Sequence, residues 1–233
     1  SPIVGFHCSK MAGFLLSRPV QTLHPKKIEI RQVQTKDDIR QFVDLPFRIY
    51  GKHAFWIPPL KKGEIDMLNP EHNPAWRQND GQFWLALRDG KVVGRIGALI
   101  NHPANEKNGE QMARFTRLEL IEDKDVFEAL MQTAITWAKG KGMQGVHGPL
   151  GFSNLDSQGV LVEGFDRLPS VASVYHLPYY HRFLEDYGFQ KEMDWLEFRL
   201  QVPRDVPDKV KKINELSKTR NGFRVVTYQR IKD

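Results

Sequence analysis

A glycine-rich run with polar side chains is the first place in this chain where chemistry could occur. Residues 147–170 read HGPLGFSNLDSQGVLVEGFDRLPS and follow a short strand-like segment. The run contains a hydroxyl, an amide and a carboxylate at Ser153, Asn154 and Asp156. Polar residues in a loop at the carboxyl end of a strand are suited to holding a substrate. The alternative is a turn that is purely structural.

Several common kinds of site are excluded by the spacing of residues. Glycine recurs every third residue from Gly142 to Gly151, but no Gly-Lys-Ser/Thr follows, so this is not a P-loop. His176 and His181 are five residues apart, which is out of phase for a helical pair of metal ligands, and no HExxH or cysteine cluster exists. There is also no Gly-x-Ser-x-Gly motif, the nucleophile elbow of a hydrolase. The sequence therefore predicts no metal site.

A tyrosine-rich helix is the second notable segment. Residues 178–189 read PYYHRFLEDYGF, which indicates an amphipathic helix that ends at Gly188 and leads into a strand. Tyr180 and Leu184 are four residues apart and therefore lie on the same helix face. Such tyrosines can also simply pack, with their hydroxyls bonded locally.

The elements that would position these residues follow from hydrophobic periodicity. Two β-rich runs flank Asp89-Gly90, a dipeptide suited to a type I′ turn, and predict an antiparallel hairpin. Thr35 is an N-cap candidate for a helix that follows the first strand. Residues 102–110 are expected to be a polar loop. The full expectation is strands at 28–33, 83–88, 91–100, 111–121, 144–150 and 192–202, with helices at 36–49, 61–68, 126–139 and from Tyr179.

The resulting order, β-α-α-β-β-β-α-β-α-β over residues 28–202, resembles that of the GNAT acetyltransferase superfamily. The late helix with its Tyr-Gly-Phe step at 187–189 is a separate point of resemblance. The runs GFSN and LVEGFD are similar to those of an uncharacterised bacterial GNAT-like branch. The resemblance implies a mixed α/β fold in which two central strands splay apart. Acetyl-CoA would lie in the slot between them as a cosubstrate.

The resemblance also assigns a place to the cosubstrate. Backbone amides at the start of a helix bind its pyrophosphate in this superfamily. Here that turn is Ile121–Phe127, which begins IEDKDV and lacks the usual glycines. Its acidic side chains would repel a pyrophosphate by an amount on the order of 1 kcal/mol each. The predicted cofactor-binding residues are Leu120, Ile121, Glu122, Lys124 and Val126.

Two catalytic roles are implied in the same way. A tyrosine on the late helix can return a proton to the CoA thiolate, and its usual position is occupied here by Leu184. Tyr180, one turn earlier, is the predicted substitute, with Tyr175 or Tyr179 as alternatives. Glu119 is the predicted base that takes a proton from an amine. It could instead be a strand-edge carboxylate paired with Arg117 or Arg95.

Charge and composition limit the possible partners. Residues 1–30 carry a net charge of +3 and residues 204–233 carry +5, which leaves −2 on the body between them. This distribution argues against a folded nucleic-acid surface. No apolar run approaches the roughly 20 residues of a transmembrane helix, and no membrane partner is expected. A single cysteine, Cys8, is consistent with a reducing cytoplasm.

Three segments are expected along the chain. Residues 1–27 would be a flexible leader and residues 28–202 the GNAT-like domain. Residues 203–233 would be a linker helix and the first strand of a further, truncated unit. The leading hypothesis is an acyltransferase that moves an acetyl or related acyl group from CoA to an amine of a small molecule or peptide. The alternative is a catalytically inactive GNAT-like binding or regulatory module.

Overall fold

The computed structural model describes residues 2–8, 27–171, 173–198, 200–224 and 226–227, with the backbone alone for 2–8. The chain divides into two units after Glu197. The strands of the first unit are β1 (Pro2–Cys8), β2 (Ile28–Gln32), β3 (Asn79–Arg88), β4 (Lys91–Asn101), β5 (Met112–Leu120), β6 (Gly145–Gly148), β7 (Val160–Leu161) and β8 (Gln190–Leu196). Its α-helices are α1 (Lys36–Tyr50), α2 (Lys61–Leu68), α3 (His102–Asn108), α4 (Lys124–Gly140) and α5 (Tyr179–Tyr187), with a 3₁₀ turn at Pro74–Gln78. The second unit contains α6 (Asp208–Asn221).

The predicted fold class is confirmed. From β2 onwards the expected elements occur in the expected order, with α3 and β7 in addition, in a mixed sheet whose spatial order is β2-β3-β4-β5-β6-β1-β7, with β8 paired to β1. Neighbouring strands are antiparallel except for β5 and β6, which run parallel. Helix α4 packs its apolar face on this sheet with Val126, Phe127 and Leu130 fully buried.

Local signals explain why the best-predicted elements form where they do. Thr35 and Asp38 make a reciprocal capping box at the start of α1. Asp89 and Gly90 both have positive φ, as a type I′ hairpin turn requires. Gly188 ends α5 in the left-handed conformation with a φ of 105°.

Residues 102–110, expected to be a polar loop, instead contain helix α3. Asn101 caps its start by accepting a hydrogen bond from the Ala104 N–H, and Pro103 lies in its first turn. Gly109 ends it with a φ of 67°. The helix is only about two turns long and none of its residues is buried. Its sequence therefore shows no apolar periodicity. The capping residues were therefore its only sequence signal.

The chain ends also differ from expectation. The leader predicted at 1–27 includes β1, which lies between β6 and β8 as an antiparallel strand. Residue 1 and residues 9–26 lie outside the described residues. The closing strand is shorter than predicted and ends at Leu196. Of the predicted last strand, residues 223–224 and 226–227 have no regular structure, and residues 225 and 228–233 are outside the described residues.

The splay between β5 and β6 is present and begins early. Parallel pairing joins three residue pairs and stops at Arg114 and His147, so the second half of β5 continues without β6 beside it. This second half still pairs with β4 on its other side, and a bulge lies there, where Arg117 and Leu118 both fall opposite Ile96 of β4. Arg117 has a φ of 50°, which is uncommon for a residue with a side chain. The bulge shifts the register so that Glu119 pairs with Arg95.

No helix within the described residues is long and apolar enough to span a lipid bilayer.

Candidate active site

Glu119 lies at the centre of the candidate site, directly after the bulge in β5. Its Oε2 accepts hydrogen bonds from the Tyr50 hydroxyl at 2.5 Å and from the Tyr180 hydroxyl at 2.8 Å. Among the described residues, none donates a hydrogen bond to Oε1. One carboxylate oxygen is thus held by two phenols, and the other is left for water or a ligand.

The structure brings together the two predicted catalytic residues, Glu119 and Tyr180. Tyr180 is fully buried on α5, and its hydroxyl also accepts a hydrogen bond from the Leu120 N–H at 3.0 Å. Tyr179 donates to the Leu120 carbonyl at 2.6 Å. Leu184 is buried on the same helix and fixes which face of α5 points inward. Tyr180 is therefore anchored by β5 itself.

Tyr50, which the sequence interpretation missed, is the third member of this cluster. It is the last residue of α1 and is almost fully buried. Burial raises the pKa of the Tyr50 and Tyr180 hydroxyls well above the usual value, and the nearby Glu119 charge raises it further. Both phenols therefore keep their protons at neutral pH and act as hydrogen-bond donors to Glu119.

A cavity of about 370 Å³ opens beside Glu119. Its charged lining consists of Glu64, Arg95, Arg117 and Glu119. Much of its apolar and neutral lining comes from the loop Trp56–Leu60 and from described residues between Pro169 and His176, and Ser157–Gly159 add to it. A pocket with a small set of polar groups and a mostly apolar wall is the usual form of a small-molecule site.

The alternative that Glu119 is simply paired with Arg117 or Arg95 is not what the geometry shows. Arg117 binds Glu64 through two hydrogen bonds, at 3.0 and 3.3 Å. Arg95 is buried, donates to the Phe42 carbonyl at 2.7 Å and lies 4.7 Å from the centre of the Phe42 ring. Within the described part of the chain, neither arginine makes a hydrogen bond to Glu119. The hydrogen-bond donors to Glu119 are the hydroxyls of Tyr50 and Tyr180.

His176 forms part of the cavity wall. Its ring lies 4.9 Å from that of Tyr180, and burial lowers its pKa, although the Glu119 charge partly opposes this. The imidazole is therefore neutral at pH 7. Tyr175, an alternative to Tyr180 in the sequence analysis, bonds His53 at 3.0 Å and the Phe165 carbonyl at 3.1 Å instead.

The turn predicted to bind the pyrophosphate is occupied by the protein's own groups. Asp123 caps α4 by accepting a hydrogen bond from the Val126 N–H at 3.1 Å, and it is paired with Arg88. Glu122 is exposed and lies 3.2 Å from Arg182, and Lys124 lies 3.8 Å from Asp186. Because Asp123 already accepts from the Val126 N–H and Lys124 lies near Asp186, these residues do not fit the pyrophosphate of acetyl-CoA.

The slot between β5 and β6, where the pantetheine arm of CoA would lie, is closed at Leu120. Ile121 donates to the Val93 carbonyl of β4, so the N–H and carbonyl of Leu120 face the side from which β6 has diverged. Tyr179 and Tyr180 satisfy both of these groups. A pantetheine arm could not pair with Leu120 while the tyrosines remain there.

The predicted substrate residues lie elsewhere. Ser153 and Asp156 are hydrogen-bonded, with the Ser153 N–H donating to Asp156 at 2.8 Å, but they line a separate cavity of about 350 Å³. Asn154 is exposed. The next residues along the same loop, Ser157–Gly159, are the ones that line the Glu119 cavity. Across the described residues no group of three or more His, Cys, Asp or Glu side chains is arranged to hold a metal ion.

Comparison with known proteins gives two bacterial relatives. Protein YghO of Escherichia coli (strain K12) is 31% identical over 172 residues, which cover 74% of this chain and 44% of that protein. Bacterial ceramide synthase of Caulobacter vibrioides (strain NA1000 / CB15N) is 30% identical over 182 residues, which cover 78% of this chain and 47% of that protein. The chain thus spans about half the length of the curated relatives it matches. No family model matches the chain.

Solved structures with a similar fold include two acetyltransferases. A predicted acetyltransferase from Clostridium acetobutylicum, solved with acetyl-CoA, is 15% identical with a TM-score of 0.45, over 74% of this chain and 96% of that one. An aminoglycoside acetyltransferase from an uncultured soil metagenomic sample, in complex with sisomicin, is 16% identical with a TM-score of 0.43, over 76% of this chain and 97% of that one. The strand order of this chain and the divergence of β5 from β6 are those that the resemblance to the GNAT acetyltransferase fold implies.

Proposed function

We propose that this domain is part of an N-acyltransferase and that the Glu119 cavity holds the amine that accepts the acyl group. The observation that carries the proposal is the arrangement at Glu119, where two buried phenols hold Oε2 beside an open cavity. An acceptor ammonium must lose a proton before it can attack an acyl carbon. A carboxylate held in one orientation is suited to taking that proton.

The class of amine is proposed from the relative and from the shape of the cavity. A ceramide is a long-chain amino alcohol that carries an acyl group on its nitrogen, and one relative is named a ceramide synthase. The lining here runs from buried charged residues, such as Arg95, to exposed apolar ones, such as Leu60. An amphiphilic amine would place its nitrogen and hydroxyls near Glu119 and its hydrocarbon chain along the apolar part.

The acyl donor is proposed only as a chemical class, a thioester such as an acyl-CoA. Because Asp123 and the Leu120 contacts occupy the expected binding positions, no contact between this domain and the donor is proposed.

A second candidate is a binding module that holds the amine without transferring an acyl group to it. The same two features favour it, because they close the places where a donor would bind. Incubation of the protein with long-chain acyl-CoA and a long-chain 2-amino-1,3-diol, followed by mass spectrometry, separates the two. Amide product supports transfer, whereas amine binding without product supports the binding module.

The matched variants for this assay are Glu119→Gln and Glu122→Gln. Both remove one charge, but Glu122 is exposed and paired with Arg182. Loss of a general base typically lowers the rate by about 100-fold or more. We therefore expect product formation to fall by about that factor in Glu119→Gln and to stay within about twofold of wild type in Glu122→Gln. Equal rates in all three proteins would contradict the role of Glu119.

A further inference from the structure

The mouth of the Glu119 cavity is surrounded by large apolar side chains that are in contact with solvent. Ile57, Leu60 and Val171 line the cavity, and their exposed fractions are 54%, 84% and 106%. We call these three residues the apolar rim. They come from two loops more than 100 residues apart in sequence, so their proximity is a product of the fold. Single exposed apolar residues are ordinary, but a group around a cavity mouth marks a binding surface.

Prolines in the two rim loops lower the cost of moving the backbone out of water. Pro58 and Pro59 lie between Ile57 and Leu60, and Pro169 lies in the other loop. A proline has no backbone N–H, so these positions carry no donor that would be left without a partner in an apolar medium. The rim therefore presents apolar side chains on a backbone with fewer polar groups than usual.

Positive charge lies on one of the two rim loops, the one that carries Ile57 and Leu60; in the other loop, Ser170, next to Val171, donates a hydrogen bond to Glu197. Residues 51–63 contain three lysines, Lys52, Lys61 and Lys62, and no acidic residue. Lys61 is bound to Asp44 at 2.6 Å, whereas Lys52 and Lys62 are exposed and have no ion pair among the described residues. Apolar tips flanked by lysines are complementary to a bilayer that displays acidic headgroups above its hydrocarbon.

The expectation of no membrane partner considered only segments that span a bilayer. We propose that the apolar rim docks on the surface of an anionic lipid bilayer. Ile57, Leu60 and Val171 would enter the headgroup region while Lys52 and Lys62 contact lipid phosphates. The cavity mouth would then face the bilayer, and an amphiphilic amine could move from it towards Glu119 without crossing water. The delivery of an amine from the bilayer to Glu119 rests on the proposed function, but docking on the bilayer requires no catalysis.

Vesicle co-sedimentation of the full chain tests the proposal. The probes are phosphatidylcholine vesicles with and without about 30% phosphatidylglycerol, a composition chosen to show a charge effect. The rim variant is Leu60→Asp with Val171→Asp. The matched control is Leu155→Asp, which changes a leucine of 94% exposure that does not line the cavity. A second variant, Lys52→Glu with Lys62→Glu, tests the charge contribution.

We expect wild type and Leu155→Asp to bind the anionic vesicles equally. Binding should be at least about tenfold weaker for the rim variant, and the lysine variant should lose the preference for phosphatidylglycerol. Absence of wild-type sedimentation, or equal binding by the rim variant and the control, would overturn the proposal. A wild-type dimer that the rim variant dissociates, without vesicle binding, would also overturn it because the rim would then be covered by a second copy.

The docking proposal and the proposed function fail differently. Vesicle binding that depends on the rim, with no amide product from any amine, leaves docking in place and removes the transferase. Amide formation at wild-type rate from a long-chain amine in vesicles by the rim variant removes docking and leaves the transferase.

Discussion

The hydroxyls of Tyr50 and Tyr180 lie 3.0 Å apart although the two residues are separated by 130 positions in the sequence. Both hydroxyls are also within hydrogen-bond distance of the same oxygen of Glu119. Three side chains from α1, β5 and α5 thus form one buried polar cluster next to the cavity. In such a cluster the loss of one hydrogen bond changes the strength of the others.

The first prediction concerns the coupling of the two phenols. Tyr50→Phe and Tyr180→Phe should each destabilise the domain by about 1–3 kcal/mol, because each removes a donor to a buried acceptor. The double variant should lose less than the sum, by about 0.5 kcal/mol or more, since the hydroxyls share one partner. Urea denaturation of wild type, the two single variants and the double variant measures these free energies of unfolding.

Tyr187→Phe provides the control for this cycle. Its side chain is half-buried, and its hydroxyl lies 3.5 Å from Gln132 of α4 rather than near Glu119. Combined with Tyr50→Phe, it should give additive effects to within about 0.3–0.5 kcal/mol. Additivity in the Tyr50 and Tyr180 cycle as well would show that the two phenols do not act on a common group.

A second prediction concerns the backbone at the bulge. Arg117→Ala and Arg117→Gly both remove the ion pair with Glu64, but only glycine adopts a φ of 50° without strain. We expect the alanine variant to be less stable than the glycine variant by about 1 kcal/mol. Equal free energies of unfolding would mean that the positive φ at Arg117 carries no cost.

A third prediction concerns the pH dependence of stability at Asp123. Burial alone would raise the pKa of this carboxyl, but hydrogen bonds from Arg88 and the Val126 N–H outweigh burial, so the pKa is lowered in the folded protein. A lowered folded pKa contributes stability above the unfolded pKa of about 3.9, and this contribution is lost as the pH falls through the folded value.

Asp123→Asn isolates that contribution because asparagine still caps the helix. Wild type should therefore be more stable than Asp123→Asn near pH 7, and the difference should shrink steadily below about pH 4. Thermal unfolding at pH values from about 3 to 7 measures it. A difference that stays constant across this range would show that the Asp123 charge does not contribute.

Parts of the site could be predicted from the sequence because local patterns fix them. Helical spacing placed Tyr180 on the same face of α5 as Leu184, and the cap at Gly188 set the end of the helix. Glu119 was predicted from the resemblance, which implies a carboxylate on this strand. Tyr50 could not be found in this way, because its contact with Glu119 spans 69 residues and depends on how α1 packs across the sheet.

Other features depend on geometry that no sequence pattern encodes. The placement of Ser153 and Asp156 in a cavity separate from Glu119 depends on the path of the chain after β6. The bulge at Arg117 is equally hidden, since a one-residue insertion in a strand needs no particular side chain. The capping residues of α3 were visible, but without apolar periodicity they gave only a weak helix signal.

The most direct test of the account is a crystal structure of the protein with a long-chain 2-amino-1,3-diol. The account predicts that the amine nitrogen lies about 3 Å from Oε1 of Glu119, with Oε2 still bound by Tyr50 and Tyr180. An amine bound outside the cavity, or one whose hydrocarbon chain rather than nitrogen lies against Glu119, would contradict it.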